Sequence, residues 1–246
     1  MREVEKLIFV YELTNLIKSK NIIFFPIMYT GLFLGAIGIF GAHGPFSFWF
    51  PLIYFFAAFG ISGGLSRQIT VSASAIYYLS SYSKTKPYVL ISIYLLVYII
   101  LVLFIFVADF ALVSALYLVT SHSVVIGSAL LLLLSAFLTS LFVNSLGMSI
   151  GLATARFNSS NIINALPFIP LILYMISLLL PANLQQYNPL TATFVMMGSS
   201  LTTEIIPTNK ILLLALITMV TALTLMAINI LLTRKLGDVN LYDLFK

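Results

Sequence analysis

The 12 Lys and Arg residues of this chain are divided very unequally among the gaps between its apolar segments. Six long apolar runs are separated by short polar gaps, and all but one of the basic residues fall in alternate gaps. Cytoplasmic loops of membrane proteins retain Lys and Arg because these charges resist translocation. If the N-terminus is cytoplasmic, only Lys210 lies outside. The other basic residues, all inside, are Arg2, Lys6, Lys18, Lys20, Arg67, Lys84, Lys86, Arg156, Arg234, Lys235 and Lys246. The division predicts six membrane spans with both termini in the cytoplasm.

The composition agrees with a membrane protein. The chain of 246 residues is 61% hydrophobic and 8% charged, whereas soluble domains are about 25% charged. A soluble core could not hide so much apolar surface, but lipid accepts it. We therefore predict a single all-α domain over residues 1–246 in the cell membrane. The formal charge of +5 is accounted for by the inside gaps, so it favours anionic lipid headgroups over nucleic acid as a partner.

The apolar pattern and the turn residues set the expected layout. The predicted spans are residues 22–40, 48–65, 88–118, 124–154, 162–180 and 210–233. Before them, residues 3–20 have apolar positions at helical spacing, which predicts an interfacial helix on the cytoplasmic surface; a plain cytoplasmic tail is the alternative. Gly63-Gly64 predicts the end of the second span. The longest inside gap, 66–87, predicts a short helix and a Ser/Lys turn, after which Pro87 begins the next helix.

Motifs for catalysis are missing from the sequence. It has no phosphate-binding GxxxxGK[ST] loop, no HExxH and no GxSxG, so we expect neither nucleotide hydrolysis nor any other enzymatic reaction in this chain. It has no cysteine. His43 and His122 stand alone in outside gaps, without a carboxylate nearby in the sequence, and we expect no metal site there.

Asp109 is the only acidic residue within a predicted span. A charged carboxylate in lipid costs a few kcal/mol, so this side chain should face protein or water. Two interpretations stay open: a place on a translocation path, or a protonated or hydrogen-bonded structural residue. For Asn144, Asn164 and Asn229 we expect hydrogen bonds between helices.

Three segments in order carry a family resemblance. Residues 179–191, LLPANLQQYNPLT, are similar to the exit of span five and the following NPLT turn in the transmembrane subunit of an ABC-2 type exporter. Residues 78–86, YLSSYSKTK, resemble the turn after that family's coupling helix, with Tyr82 where the family usually has proline. Residues 232–237, LTRKLG, look like its closing basic turn.

The resemblance implies a fold and a mode of action. It implies six spans after an interfacial helix, a coupling helix at 68–79, a contact loop at 156–161, and exterior re-entrant helices between spans five and six, including one at 192–201. It also implies a permease subunit that pairs with a second copy of itself or a homologous permease. Two separate ATPase subunits would bind ATP and Mg and dock below, so no cofactor is expected in this chain. A pathway at the dimer interface, lined by spans one, two and five, would carry the substrate.

The resemblance also assigns two groups of residues. The ATPase-coupling residues would be Tyr77, Tyr78, Leu79, Lys84, Lys86 and Arg156. The residues of an exterior lid would be Asn188, Pro189, Phe194 and Met197. We expect the lid to pack over the exit of the pathway between two copies of the chain, where a cysteine at Phe194 or Met197 would crosslink across the dimer or change its accessibility with nucleotide state.

Two other classes of protein remain as alternatives. A passive channel predicts charged or carbonyl-lined constrictions, and the spans supply few candidates for them. A membrane anchor or assembly factor predicts no substantial cytoplasmic docking element, whereas the 66–87 segment is long and basic.

Overall fold

Within the residues that it describes, the computed structural model of the chain is all-helical. These residues are 3–18, 36, 44–120, 122–156, 172, 176, 179, 181, 187–203 and 207–233. The helices within them are α1 (Glu3–Lys18), α2 (Phe46–Ser83), α3 (Pro87–Val119), α4 (Ala129–Arg156), α5 (Pro189–Ser200) and α6 (Thr208–Thr233). The predicted spans 22–40 and 162–180, the 157–161 part of the contact loop and the basic turn after residue 233 lie almost entirely outside the described residues.

Four of the helices are long and apolar enough to cross a membrane. They are α2, α3, α4 and α6, with 38, 33, 28 and 26 residues. At about 1.5 Å per residue, each is longer than the ~30 Å hydrocarbon core of a bilayer. The predicted all-α membrane fold is confirmed at this level. The predicted interfacial helix is also helical, as α1, and packs against α3.

The second predicted span and the coupling helix are one element. Because α2 continues unbroken from Phe46 to Ser83, the prediction that a span ends at Gly63-Gly64 and a separate helix follows at 68–79 is wrong. In apolar surroundings, backbone amides are satisfied by the helix itself, so a glycine pair there need not end it. The helix ends at Lys84, which has a left-handed backbone (φ 52°, ψ 26°) and donates its N–H to Ser80. As predicted, α3 then begins at Pro87.

The start of α4 also differs from the prediction. The sequence predicts a helix from residue 124, but residues 122–128 are not helical and α4 begins at Ala129. The reason is a competing set of hydrogen bonds. The backbone amides of Gly127 and Ser128 donate to the Ser200 carbonyl oxygen at the end of α5, at 2.8 and 3.1 Å. The connection from α3 to α4 is therefore longer than predicted, and its last residues bind the end of α5.

The long helices have two distinct ends. α2 and α4 run parallel, because hydroxyls at residues 62, 66 and 70 bond carbonyls at residues 143, 147 and 151, with a constant offset of 81. α3 runs antiparallel to α2 after the turn at Lys84. α6 runs parallel to α4, since Leu214 packs with Leu138 near one end and Asn229 bonds Ser145 near the other. We call the end with Lys84, Lys86 and Arg156 the basic end. The opposite end, with α5, is the lid end.

Candidate functional site

The turn between α2 and α3 presents aromatic side chains to the surroundings. We call residues 77–86 the hairpin tip. Tyr78 and Tyr82 are 60% and 89% exposed, and Tyr77 and Leu79 are exposed as well. On one side of the tip, Ser80 and Thr85 are buried and hold the turn through backbone bonds to the Ser80 carbonyl oxygen. The tip is thus an ordered surface with large unburied apolar groups.

The predicted basic residues surround this tip. Lys84 is exposed and forms the turn itself. Lys86 is exposed at the start of α3, with Nζ 5.8 Å from the centre of the Tyr88 ring. Arg156 is the exposed last residue of α4, and the 81-residue offset places it level with residue 75 of α2. The structure therefore brings Tyr77, Tyr78, Leu79, Lys84, Lys86 and Arg156 to the same end of the bundle.

A polar network joins α1 to the base of the hairpin. The Glu12 carboxylate accepts hydrogen bonds from the Tyr94 hydroxyl at 2.9 Å and from Gln68 Nε2 at 3.2 Å. Gln68 Oε1 in turn accepts from the Tyr98 hydroxyl at 2.5 Å. Glu12 therefore anchors α1 to α2 and, through Tyr94, to α3.

A ladder of hydroxyl-to-carbonyl bonds joins α2 to α4. Its rungs are Ser62 to Val143 at 2.7 Å, Ser66 to Gly147 at 2.7 Å and Thr70 to Gly151 at 3.0 Å. Small residues let the backbones approach this closely. A Cβ on Gly147 would lie 2.6 Å from the Ser62 carbonyl oxygen, and one on Gly151 would lie 2.5 Å from that of Ser66. The two helices are consequently packed backbone to backbone.

At the lid end, Asn188 and Pro189 form the start of α5. Asn188 is its N-cap, and the side-chain oxygen accepts a hydrogen bond from the Leu190 amide at 3.1 Å. Pro189 occupies the first helical position, where its missing N–H costs nothing. The predicted 192–201 helix is therefore present, starting three residues earlier, at Pro189, and ending at Ser200.

The lid helix packs on its own chain. Phe194 makes edge-to-face contacts with Phe48 and Phe55 of α2, with ring centres 5.8 Å apart in both pairs. Met196 and Met197 are fully buried. In this conformation the Met197 side chain fills the core between the helices of one chain, and the expectation that a cysteine there crosslinks two copies or changes its accessibility stays a prediction.

Close backbone contacts hold α5 in place. A Cβ on Gly198 would lie 3.0 Å from the Ser47 carbonyl oxygen of α2. In a regular helix this oxygen would accept a hydrogen bond from the N–H of residue 51. Residue 51 is Pro51, which has no N–H, so the Ser47 oxygen has no helical donor and faces the lid. On another side, a Cβ on Gly127 would lie 2.0 Å from the Thr202 carbonyl oxygen. The lid is clamped between α2 and the α3–α4 connection.

Beside the clamp lies an open pocket of about 460 Å³. The start of α2, the 122–125 segment and the residues after α5 line it. His122 is in its wall, and Nδ1 lies 3.0 Å from the Thr120 carbonyl oxygen. The same Nδ1 lies 3.1 Å from the Thr120 hydroxyl oxygen. No group of three potential metal ligands occurs in the described part of the chain.

The polar residues within the spans have different environments. Asp109 is fully buried in α3, close enough to Tyr54 to interact electrostatically. Asn229 fits the expected bond between helices, since Nδ2 donates to the Ser145 carbonyl oxygen at 3.1 Å. Asn144 does not, because Nδ2 donates at 2.9 Å to Ser140 one turn earlier in the same helix.

Neither the α2–α4 ladder nor the close contacts at Gly127 and Gly198 were predicted from the sequence. A signal for the ladder was present, because Ser62, Ser66 and Thr70 recur every four residues and Gly147 and Gly151 have the same spacing. No protein-family model, curated protein or solved structure matches the chain.

Proposed function

We propose that this chain is the permease subunit of an ATP-driven exporter of the ABC-2 type, paired with a second permease and served by separate ATPase subunits. The observation that carries the proposal is the continuity of α2. One helix bears the exposed hairpin tip at the basic end and supports the lid helix at the other. In an ATP-driven exporter, closure of the ATPase subunits on one side of the membrane has to open a gate on the other side. A continuous helix that contacts both sides can transmit that movement.

The ends of the described helices support six crossings. Glu12 of α1 accepts hydrogen bonds from Gln68 and Tyr94, in the half of the α2–α3 hairpin that lies toward the basic end. Gly44 lies at the lid end, where its carbonyl oxygen accepts a hydrogen bond from the Tyr117 hydroxyl. Likewise, α4 finishes at the basic end, and Asn188 begins α5 at the lid end. The stretches 19–43 and 157–187 each connect opposite ends and contain the apolar runs 22–40 and 162–180. We therefore propose a first and a fifth span in them.

The basic end would be cytoplasmic under the positive-inside rule. Single cysteines report this directly because the chain has none of its own. Ser81→Cys at the exposed tip should resist a membrane-impermeant maleimide in intact cells, and Thr203→Cys after the lid should react. Permeabilised cells, in which both positions should react, are the control. The opposite labelling pattern in intact cells would reverse the orientation and remove the basis for docking at the tip.

The hairpin tip has the composition of a docking surface. Interface cores are enriched in aromatic residues, and a few such side chains contribute most of the binding free energy. Tyr77, Tyr78 and Leu79 would supply the contacts, and Lys84 and Lys86 would favour an acidic rim on the ATPase. Closure of the ATPases on ATP would press on this tip and on the end of α4 at Arg156. The α2–α4 ladder would carry the displacement toward the lid.

The lid would be the outer gate, closed in this conformation. Its opening requires the Ser200 bonds and the Phe194 contacts to break, while the fold of α2 and α4 is kept. With Met197 buried in its own chain, we place the contact with a second copy on another part of the surface. The half-buried Phe194 remains a candidate to change exposure when the gate opens.

Reconstitution with a candidate ATPase subunit tests the proposal. The variant Tyr77→Ala/Tyr78→Ala/Leu79→Ala should weaken ATPase binding by at least about 30-fold, the equivalent of a ~2 kcal/mol hot spot, and abolish substrate-stimulated hydrolysis. Alanine preserves the helix, so membrane insertion should be unchanged. The matched control is Leu212→Ala/Leu213→Ala/Leu216→Ala, which removes three exposed apolar side chains from α6.

The rival functions predict different results. A passive channel would give substrate flux without ATP. A membrane anchor would bind a partner whose rate of ATP hydrolysis changes neither with the tip variant nor with added substrate. Unaltered binding and stimulation in the tip variant would overturn the proposed docking.

A further inference from the structure

A shallow crevice opens on the bundle surface where α3 and α6 diverge over α4. Its cavity volume is about 30 Å³. One face of α3 supplies Tyr88, Ile91, Ser92 and Leu95, α4 supplies Met148, and one face of α6 supplies Met226, Asn229, Ile230 and Thr233. The crevice lies toward the basic end, since Tyr88 follows the hairpin turn and Thr233 ends α6.

The walls favour an apolar occupant. Ile91, Leu95 and Ile230 present hydrocarbon, and the unbranched Met148 and Met226 adapt their shape to a neighbour. Three polar side chains of the crevice, those of Ser92, Asn229 and Thr233, are already bonded within the protein. Ser92 Oγ donates to the Tyr88 carbonyl oxygen at 2.8 Å, and the Asn229 side chain bonds both Ser145 and Ser149 of α4. A hydrophilic ligand would find few free partners there.

The mouth of the crevice carries positive charge. Lys86 is exposed, and its ammonium group lies over the ring of Tyr88, which lines the crevice. No acidic side chain is among the described lining residues. The combination of an apolar slot and a cationic mouth matches a molecule with an acyl chain and an anionic headgroup.

We propose that this crevice binds an anionic phospholipid of the leaflet at the basic end. One acyl chain lies along the slot between α3 and α6, and the headgroup phosphate lies at Lys86 and the Tyr88 hydroxyl. A basic residue near a membrane surface gains about 1 kcal/mol from anionic lipid, so Lys86 should contribute about fivefold to the affinity. The bound lipid would bridge α3 and α6, which have few contacts with each other.

The test uses the purified full chain without any ATPase, so its failure leaves the proposed function standing. Phosphatidylglycerol and phosphatidylcholine with identical acyl chains are compared by native mass spectrometry and by thermal unfolding in detergent. We expect one phosphatidylglycerol to be retained and to raise the melting temperature, with phosphatidylcholine giving a smaller effect. Lys86→Gln should lower the phosphatidylglycerol affinity about fivefold, and Lys84→Asn, which alters the neighbouring tip, should not.

A second variant tests the slot itself. Met226→Trp should fill the crevice and abolish retention, whereas Met219→Trp, on the exposed side of the same helix, should have no effect. If the Met226→Trp protein does not insert into the membrane, the Lys86→Gln result tests the proposal by itself. Lys86 is exposed, so its substitution should not disturb folding. Equal retention of the two lipids, or retention that is insensitive to Lys86, would overturn the proposal.

Discussion

The Ser66 hydroxyl of α2 donates a 2.7 Å hydrogen bond to the carbonyl oxygen of Gly147 in α4, which lies 81 residues further along the chain. This bond is the middle rung of a ladder that holds two parallel helices in backbone contact. Bonds of this kind contribute about 0.6 kcal/mol on average in a membrane protein. The three rungs fix the register of α2 more than they add to stability, because a sliding motion would break all of them together.

We expect Gly147→Ala to destabilise the protein by about 1–3 kcal/mol, the usual cost of overpacking. The new methyl group would lie 2.6 Å from the Ser62 carbonyl oxygen, which is backbone and cannot move aside. Thermal unfolding of the purified chain gives the measurement. The control is Gly64→Ala in α2, where a Cβ meets nothing within 4 Å and the gain in helix propensity should leave stability equal or higher. Equal melting temperatures for the two variants would show that the helices are not packed this closely.

Residues near one another in the sequence gave the most accurate predictions. The end of α2 follows from the turn at Lys84, and the start of α3 follows from Pro87. The start of α5 follows from Asn188 and Pro189. These boundaries depend on turn and capping residues, whose effects are local. The Gly63-Gly64 prediction failed because the surroundings of a glycine, not its propensity, decide whether a membrane helix continues.

The candidate site was predictable only in part, for a similar reason. Exposure of the 77–86 tip could be anticipated from its polar and basic flanks. The burial of Met197 and the clamp at Gly127 depend on which distant segments meet at the lid end. No local pattern in a single sequence indicates that α5 meets both α2 and the connection between α3 and α4.

Glu12 should hold α1 against the hairpin. We expect Glu12→Ala to release α1, because Gln68 and the hydroxyl of Tyr94 lose their shared acceptor. Increased hydrogen exchange over residues 5–16 would report the release. Glu3→Ala, at the exposed start of the same helix, is the control and should leave exchange in that segment unchanged. Protection that persists in Glu12→Ala would mean that the apolar contacts of α1 are sufficient.

The clamp on the lid should respond to Gly127→Ala. Its methyl group would lie 2.0 Å from the Thr202 carbonyl oxygen, so the substitution should push the end of α5 away and weaken the two amide bonds to Ser200. A Met197→Cys reporter, buried in the closed lid, should then react with an impermeant maleimide at least about tenfold faster, equal to ~1.4 kcal/mol of opening. Gly60→Ala, where a Cβ meets nothing within 4 Å, is the matched control. Unchanged labelling of Met197→Cys would show that the lid does not depend on this contact.

Asp109 should tolerate replacement by asparagine. It is the only acidic or basic side chain among the fully buried described residues, and Phe106 and Phe110 flank it on α3 while packing edge-to-face on Phe50 of α2. A carboxamide has nearly the same shape as a carboxyl group and adds no charge to the span. Asp109→Asn should therefore keep the melting temperature and transport, whereas Asp109→Lys, which forces a charge into the span, should impair insertion by about 3 kcal/mol. A stable Asp109→Asn protein that no longer transports would contradict the structural interpretation and assign a proton-binding step to this carboxyl.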